Sequence, residues 1–186
     1  WRIVSRVISL QASDFELFGL PSAFALDRSQ LDLQWKSLQR EAHPDRFASE
    51  GAAAQRIAMQ WSVRINEAYN RLKDPLKRAA YLCELHGAAV NAENNTSMPP
   101  AFLMQQMEWR EALDDCKAIQ ASDSKMNALE KLLDEVEASQ AKVLKQMATL
   151  IDVDHNFPAA VGQVRALMFI EKFSQEVQHQ LDACSQ

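Results

Sequence analysis

The chain has 186 residues, 47% of them hydrophobic and 24% charged, with a formal net charge of −5. With only 4 Gly and 6 Pro this argues against an all-β or disordered chain, and it leaves apolar material for one or two cores. Residues 1–98 are net +1 and residues 99–186 net −6, so there is no basic stripe for nucleic acid or an anionic membrane, and the two halves point to different partners.

Residues 1–12 hold Arg2 and Arg6 and no acid. They are expected to be an N-terminal extension, either disordered or the remnant of an organelle presequence. The segment from Asp14 to Gly19 reads as a short helix with an Asp N-cap and a Gly stop. Asp27 is the next N-cap, and behind it Leu31, Trp35, Leu38 and Ala42 form an amphipathic stripe that Pro44 should end. After a loop from Asp45 to Gly51, a long helix carries Trp61, Ile65, Ala68 and Leu72 on one face. Asp74-Pro75 breaks it and starts another helix, which runs to His86-Gly87.

Residues 88–98 are polar, Asn-rich and without period, and read as an inter-domain linker. Three further helices are predicted over 99–121, 123–151 and 157–183. The middle one shows Met126, Leu129, Leu133, Val136, Gln140, Val143, Met147 and Leu150 in alternating three-four spacing. The last carries Ala159, Ala166, Ile170, Phe173, Val177 and Leu181 on one face. Short connections favour an antiparallel three-helix bundle. The fold class is therefore all-α: an N-terminal helical hairpin with flanking short helices over 13–87, a linker over 88–98, and a C-terminal bundle over 99–186.

Cys83, Cys116 and Cys184 are far apart and odd in number, which reads as free thiols in a reduced compartment. The four histidines, His43, His86, His155 and His179, make no metal-ligand spacing. No apolar run approaches membrane-spanning length. No metal, cofactor or catalytic residue is expected: His43 and Asp45 have no nucleophile, metal set or phosphate cradle near them in sequence.

The informative segment is His43-Pro44-Asp45, set between two amphipathic helices. The second of these ends in Ile65-Asn66-Glu67-Ala68-Tyr69-Asn70-Arg71-Leu72-Lys73-Asp74-Pro75. Alone, the tripeptide reads equally as a helix-ending turn with Asp45 as a cap. In this order and spacing, and with Phe15-Glu16-Leu17-Phe18-Gly19-Leu20 ahead of it, the region of about residues 13–82 resembles the J-domain family. The resemblance implies that His43, Pro44 and Asp45 form the element that stimulates the ATPase of a DnaK-class chaperone, with Lys36, Arg40 and Arg46 as docking charges. The chemistry suits those roles. Pro44 stiffens the turn, His43 offers two ring nitrogens, and the Asp45 carboxylate suits a partner arginine. Lys36 and Arg40 share one helix face and would orient the encounter with an acidic surface. Over residues 27–46 four basic and four acidic side chains cancel, and Ala42 replaces the tyrosine often found before the histidine. Both features suit a dedicated chaperone.

The helix that opens at Pro100 is over-supplied with apolar residues. At about 100° per residue, Phe102, Trp109 and Leu113 form one stripe. Leu103, Met104 and Met107 form a second, edged by Glu108 and Glu111. That second face is either a patch for a protein partner, which flexible Met side chains suit, or is buried within the chain. The period leaves both open. The segment from Ala101 to Glu111 (Ala-Phe-Leu-Met, then Gln106-Met107-Glu108, then Arg110-Glu111), the run Val164-Arg165-x-Leu167-x-Phe169-x-x-Lys172 and a J-domain followed by an acidic bundle together resemble the HscB family of iron–sulfur cluster assembly, over about residues 13–182. The resemblance implies that the bundle holds an IscU-type scaffold protein through Leu103, Met104, Met107, Glu108, Glu111 and Phe169, while the J-domain recruits an HscA-type chaperone for cluster transfer. A J-domain protein with a different client on its bundle is the alternative. The zinc-binding cysteine motif of some eukaryotic members is absent. The bacterial cytoplasm is the expected compartment, ahead of the mitochondrial matrix.

Overall fold

A computed structural model describes residues 9–90 and 98–184. Every regular element among them is helical: α1 (Asp14–Phe18), α2 (Arg28–Glu41), a 3-10 turn (Pro44–Phe47), α3 (Ala52–Lys73), α4 (Pro75–Leu85), α5 (Pro100–Ala118), α6 (Ser122–Ala148), a π-turn (Thr149–Val153) and α7 (Phe157–Cys184). The chain divides into two compact units between Leu82 and Cys83, ahead of the Gly87 stop at which the sequence ends its first half. Most of the expected linker, residues 91–97, lies outside the described residues, as do residues 1–8 of the extension. No helix among the described residues is long and apolar enough to cross a membrane.

In the first unit α2 and α3 form a helical hairpin. Asp27 caps α2 through hydrogen bonds accepted from the Ser29 and Gln30 amides at 2.9 and 3.2 Å. Leu31 of α2 and Ala42 at its C-terminal cap are buried, as are Ala58, Trp61, Ile65, Ala68 and Leu72 of α3, the apolar stripes of the hairpin. At its polar edge Trp35 stacks on Tyr69 at 4.5 Å and its indole N–H donates to Asn66 at 3.0 Å. Arg28 donates to Asp32 at 2.8 Å, and that hydrogen bond holds the Asp32 carboxyl below its usual range. The pre-proline position behaves as steric reasoning requires. His43 is extended, at φ −64° and ψ 125°, so α2 stops. The segment from Asp45 to Gly51, expected as a loop, begins instead as the 3-10 turn, because Pro44 supplies a φ already set for a first helical position.

The short leading helix departs from expectation. Its N-cap is Ser13, not Asp14: the Ser13 hydroxyl accepts from the Glu16 amide at 3.2 Å and the Glu16 carboxylate accepts from the Ser13 amide at 2.8 Å, a reciprocal capping box. Asp14 is thereby free to turn inward. It is fully buried, with Arg64 at 2.8 Å and Arg71 at 3.3 Å from its two oxygens, and its amide donates to the Tyr81 hydroxyl at 3.0 Å. A buried carboxylate is tolerated only when paired, and here the pairing ties α1 to α3. Arg64 also donates to the carbonyls of Leu10 and Ala12, at 3.1 and 2.8 Å. Gly19 ends α1 at φ +64°, the left-handed conformation that favours glycine.

In the second unit α5, α6 and α7 make an up-down-up bundle. Leu129, Val136, Val143 and Met147 of α6 are buried as their spacing predicts, but Leu132 is buried where Leu133 is only half-buried. Both residues satisfy a three-four repeat, and at about 100° per residue Leu132 lies nearer the centre of the stripe. The π-turn after α6 brings Ile151 inside in place of Leu150. On α7 the expected Ala159 is exposed and Ala160 is buried. Ala159 falls in the first turn of α7, where with Met98, Pro99 and Thr149 it lines an open cleft of about 680 Å³. Between α5 and α7 the core is aromatic: Phe102, Trp109, Phe169 and Phe173 meet at centroid distances of 5.7–6.5 Å. All three cysteines are free. Burial pushes the Cys83 thiol up to about 11, and burial followed by the neighbouring Asp115 charge raises that of Cys116, shifts that disfavour the thiolate at both.

Candidate functional site

The first candidate site is the end of the α2–α3 hairpin. His43 is the N-cap of the 3-10 turn: its Nδ1 accepts from the Asp45 amide at 3.3 Å. The Arg46 amide donates to the His43 carbonyl at 3.0 Å. With its own backbone so engaged, the turn presents the Asp45 side chain outward, 91% exposed, and the His43 ring at 57%. Nδ1 of His43 lies 3.6 Å from the Asp45 carboxylate. Pro44 between them is half-buried. An outward carboxylate beside an imidazole, on a turn that Pro44 stiffens, offers a partner a charge-assisted acceptor and a second polar contact.

Lys36 and Arg40 are exposed on α2, on the side away from Leu31 and Ala42. Arg40 also bends back, its Nε donating to the Lys36 carbonyl at 3.3 Å. Arg46 is exposed but engaged: its Nη1 donates to the Arg40 carbonyl at 3.2 Å. Sequence reasoning overlooked Leu33, which is 61% exposed. Leu33, Lys36 and Arg40 stand at i, i+3 and i+7, one stripe of the helix. That spacing was the available signal, hidden because a lone leucine on a polar face attracts no notice.

The second candidate site is the outer face of α5. Phe102, Trp109 and Leu113 are buried in the bundle, whereas Leu103, Met104 and Met107 are 48%, 66% and 73% exposed. Glu108 and Glu111 are exposed beside them. The two faces that the period distinguishes are thus one inside and one outside the unit. Three large apolar side chains together on a surface mark an interaction site far better than single ones do. Helix α5 is fastened beside them, since Arg110 pairs with Glu176 of α7 at 3.0 Å and lies 5.5 Å over the Phe169 ring.

Phe169 differs from the other five residues of its set. It is half-buried and sits inside the aromatic cluster with Phe102, Trp109 and Phe173. Only part of the ring can serve a partner, and the rest is core. Its neighbour Met168, which the sequence reading did not select, is 47% exposed. No group of three or more His, Cys, Asp or Glu side chains gathers as a metal site among the described residues.

Residues 98–178 match a family model described as the HSCB C-terminal oligomerisation domain. The chain is 49% identical over 176 residues to a protein of Burkholderia multivorans named co-chaperone protein HscB homolog, covering 95% of this chain and 98% of that one. It is 50% identical over 174 residues to the protein of that name from Paraburkholderia xenovorans, covering 94% and 97%. Among solved structures, the chaperone HscB of Vibrio cholerae aligns with a TM-score of 0.78 at 38% identity, covering 92% of this chain and 99% of that one. The human co-chaperone protein HscB aligns with a TM-score of 0.80 at 22% identity, over 93% and 84% of the two chains, a likeness of fold.

Proposed function

Since the chain belongs to the HscB co-chaperone family, we propose that it stimulates the ATPase of a DnaK-class, HscA-type chaperone through the His43-Pro44-Asp45 turn and delivers to it an IscU-type scaffold protein held on α5. The observation that carries this reading is the coexistence of two exposed, chemically distinct surfaces on one all-α chain: a polar turn with an outward carboxylate and an apolar helix face with acidic edges.

Each surface suits its partner. Asp45 and His43 make the polar contacts at the chaperone, and Lys36 and Arg40 orient the approach to an acidic surface. Leu103, Met104 and Met107 supply buried apolar area at the scaffold, with Glu108, Glu111 and the exposed part of Phe169 at the rim. Carrying the scaffold on the same chain as the turn raises its effective concentration at the chaperone's substrate site. The turn then triggers hydrolysis when cargo is present. The protein breaks and makes no covalent bond itself and needs no cofactor. We place the work in the bacterial cytoplasm, in keeping with the bacterial relatives at about half identity.

Co-isolation tests the proposal as a whole. The full chain, immobilised in an extract of its source cell with ATP present, is expected to retain both a DnaK-class chaperone and an IscU-type scaffold. Retention of a chaperone with a different client would replace the scaffold half of the reading, and retention of neither would sink all of it.

A further inference from the structure

Arg46 stands next to the turn and carries a positive charge, but its geometry is not that of a group held out to a partner. Helix α2 ends at Glu41, and the last carbonyls of a helix have no intrahelical donor. Ala42 satisfies one of the carbonyls in this last stretch, its amide donating to Leu38 at 2.9 Å. Arg46 satisfies another: its Nη1 lies 3.2 Å from the Arg40 carbonyl. The guanidinium therefore turns back toward the negative end of the α2 dipole. Between Arg40 and Arg46 the chain runs through His43, Pro44 and Asp45, so this one hydrogen bond closes a loop around the motif.

Two shorter ties lie within that loop, from the Asp45 amide to His43 Nδ1 and from the Arg46 amide to the His43 carbonyl. Neither joins the turn to the helix. Pro44 has no amide to contribute. Among these ties, the side chain of Arg46 is the one that joins the turn to α2, the helix that bears Lys36 and Arg40.

We propose that Arg46 is a positioning residue: it clamps the His43-Pro44-Asp45 turn onto the last turn of α2 and acts on the chaperone through the aim of Asp45, not through its own charge. The inference rests on the reading of the turn as the ATPase-stimulating element. It separates the three basic residues into two docking charges, Lys36 and Arg40, and one internal clamp.

Two measurements on the full chain test it. In the first, Arg46→Gln is expected to speed hydrogen exchange of the Asp45, Arg46 and Ala48 amides about five-fold, the weight of one net hydrogen bond, with α3 unchanged. Unchanged exchange at the turn would overturn the proposal. In the second, the chain is titrated into the chaperone's ATPase at two salt concentrations. Arg46→Gln is expected to lower maximal stimulation about five-fold, with the half-saturating concentration and its salt dependence as in wild type. Arg46→Lys, which keeps the charge without the planar fork, is expected to recover only part of the loss. Arg40→Gln serves as the contrasting docking variant and is expected to raise the half-saturating concentration and flatten its salt dependence. If Arg46→Gln behaves as Arg40→Gln does, or Arg46→Lys is fully active, Arg46 is a docking charge and the proposal is wrong. If the wild-type chain itself gives no stimulation, the reading of the turn fails, and the exchange measurement still decides whether Arg46 holds it.

Discussion

Replacing Asp45 with alanine is expected to lower stimulation of the chaperone's ATPase at least about 30-fold while leaving the fold intact. The carboxylate is 91% exposed, with His43 Nδ1 3.6 Å away, so the folded chain is expected to lose almost nothing when it is removed. If the turn docks as proposed, the complex loses a charge-assisted hydrogen bond and the partner's cation is left desolvated and unpaired. Such truncations cost about 2–5 kcal/mol at an interface, and at 1.36 kcal/mol per decade the lower bound already gives about 30-fold. The backbone of the turn should survive, since the Asp45 amide and not its side chain makes the hydrogen bond to His43. The measurement is steady-state ATPase at a sub-saturating concentration of the co-chaperone, with circular dichroism as the folding control. Stimulation equal to wild type would show that the turn is a helix terminus without further role.

The double substitution Leu103→Ala with Met107→Ala is expected to weaken scaffold binding by about 2–4 kcal/mol, roughly 30- to 1,000-fold, the range for two anchors at the centre of an interface. Leu103 and Met107 are 48% and 73% exposed in the free chain, and alanine is the best helix former, so the bundle should keep its stability within about 0.5 kcal/mol. The readout is the dissociation constant by calorimetry. Glu108→Gln with Glu111→Gln should behave differently, slowing association and reducing its salt dependence with a smaller change in affinity. Phe169 is a poor probe for this surface: its ring meets Phe102, Trp109 and Phe173 in the bundle core. A Phe169→Ala chain would lose core packing and partner contact together.

Much of this was legible in the residues. Proline fixed the end of α2 and the start of α4, and Asp27 and Asp74 accept the hydrogen bonds that start α2 and α4, because local sterics and capping act over three or four residues. The two faces of α5 followed from its wheel. Whether the second face was exposed did not, since an amphipathic period has no information about what lies opposite. The same limit explains α6, where Leu132 and Leu133 fit one repeat and tertiary packing chose between them. The N-cap of α1 was misassigned because both Ser13 and Asp14 can cap, and only the distant partners Arg64, Arg71 and Tyr81 draw Asp14 inside. The hydrogen bond from Arg46 to the Arg40 carbonyl had no signal in the sequence for a related reason, since it joins a side chain to a backbone group six residues away across the turn.

Whether one chain couples cargo to the trigger is read from the chaperone's ATP hydrolysis as scaffold is titrated at a fixed concentration of this protein. With the wild-type chain, half-maximal synergy is predicted at a scaffold concentration about 100-fold lower than with the Leu103→Ala, Met107→Ala chain, the gain expected from tethering, while the two chains stimulate equally when scaffold is absent. Coincident titration curves for the two chains would mean that this face of α5 does not couple cargo to the trigger.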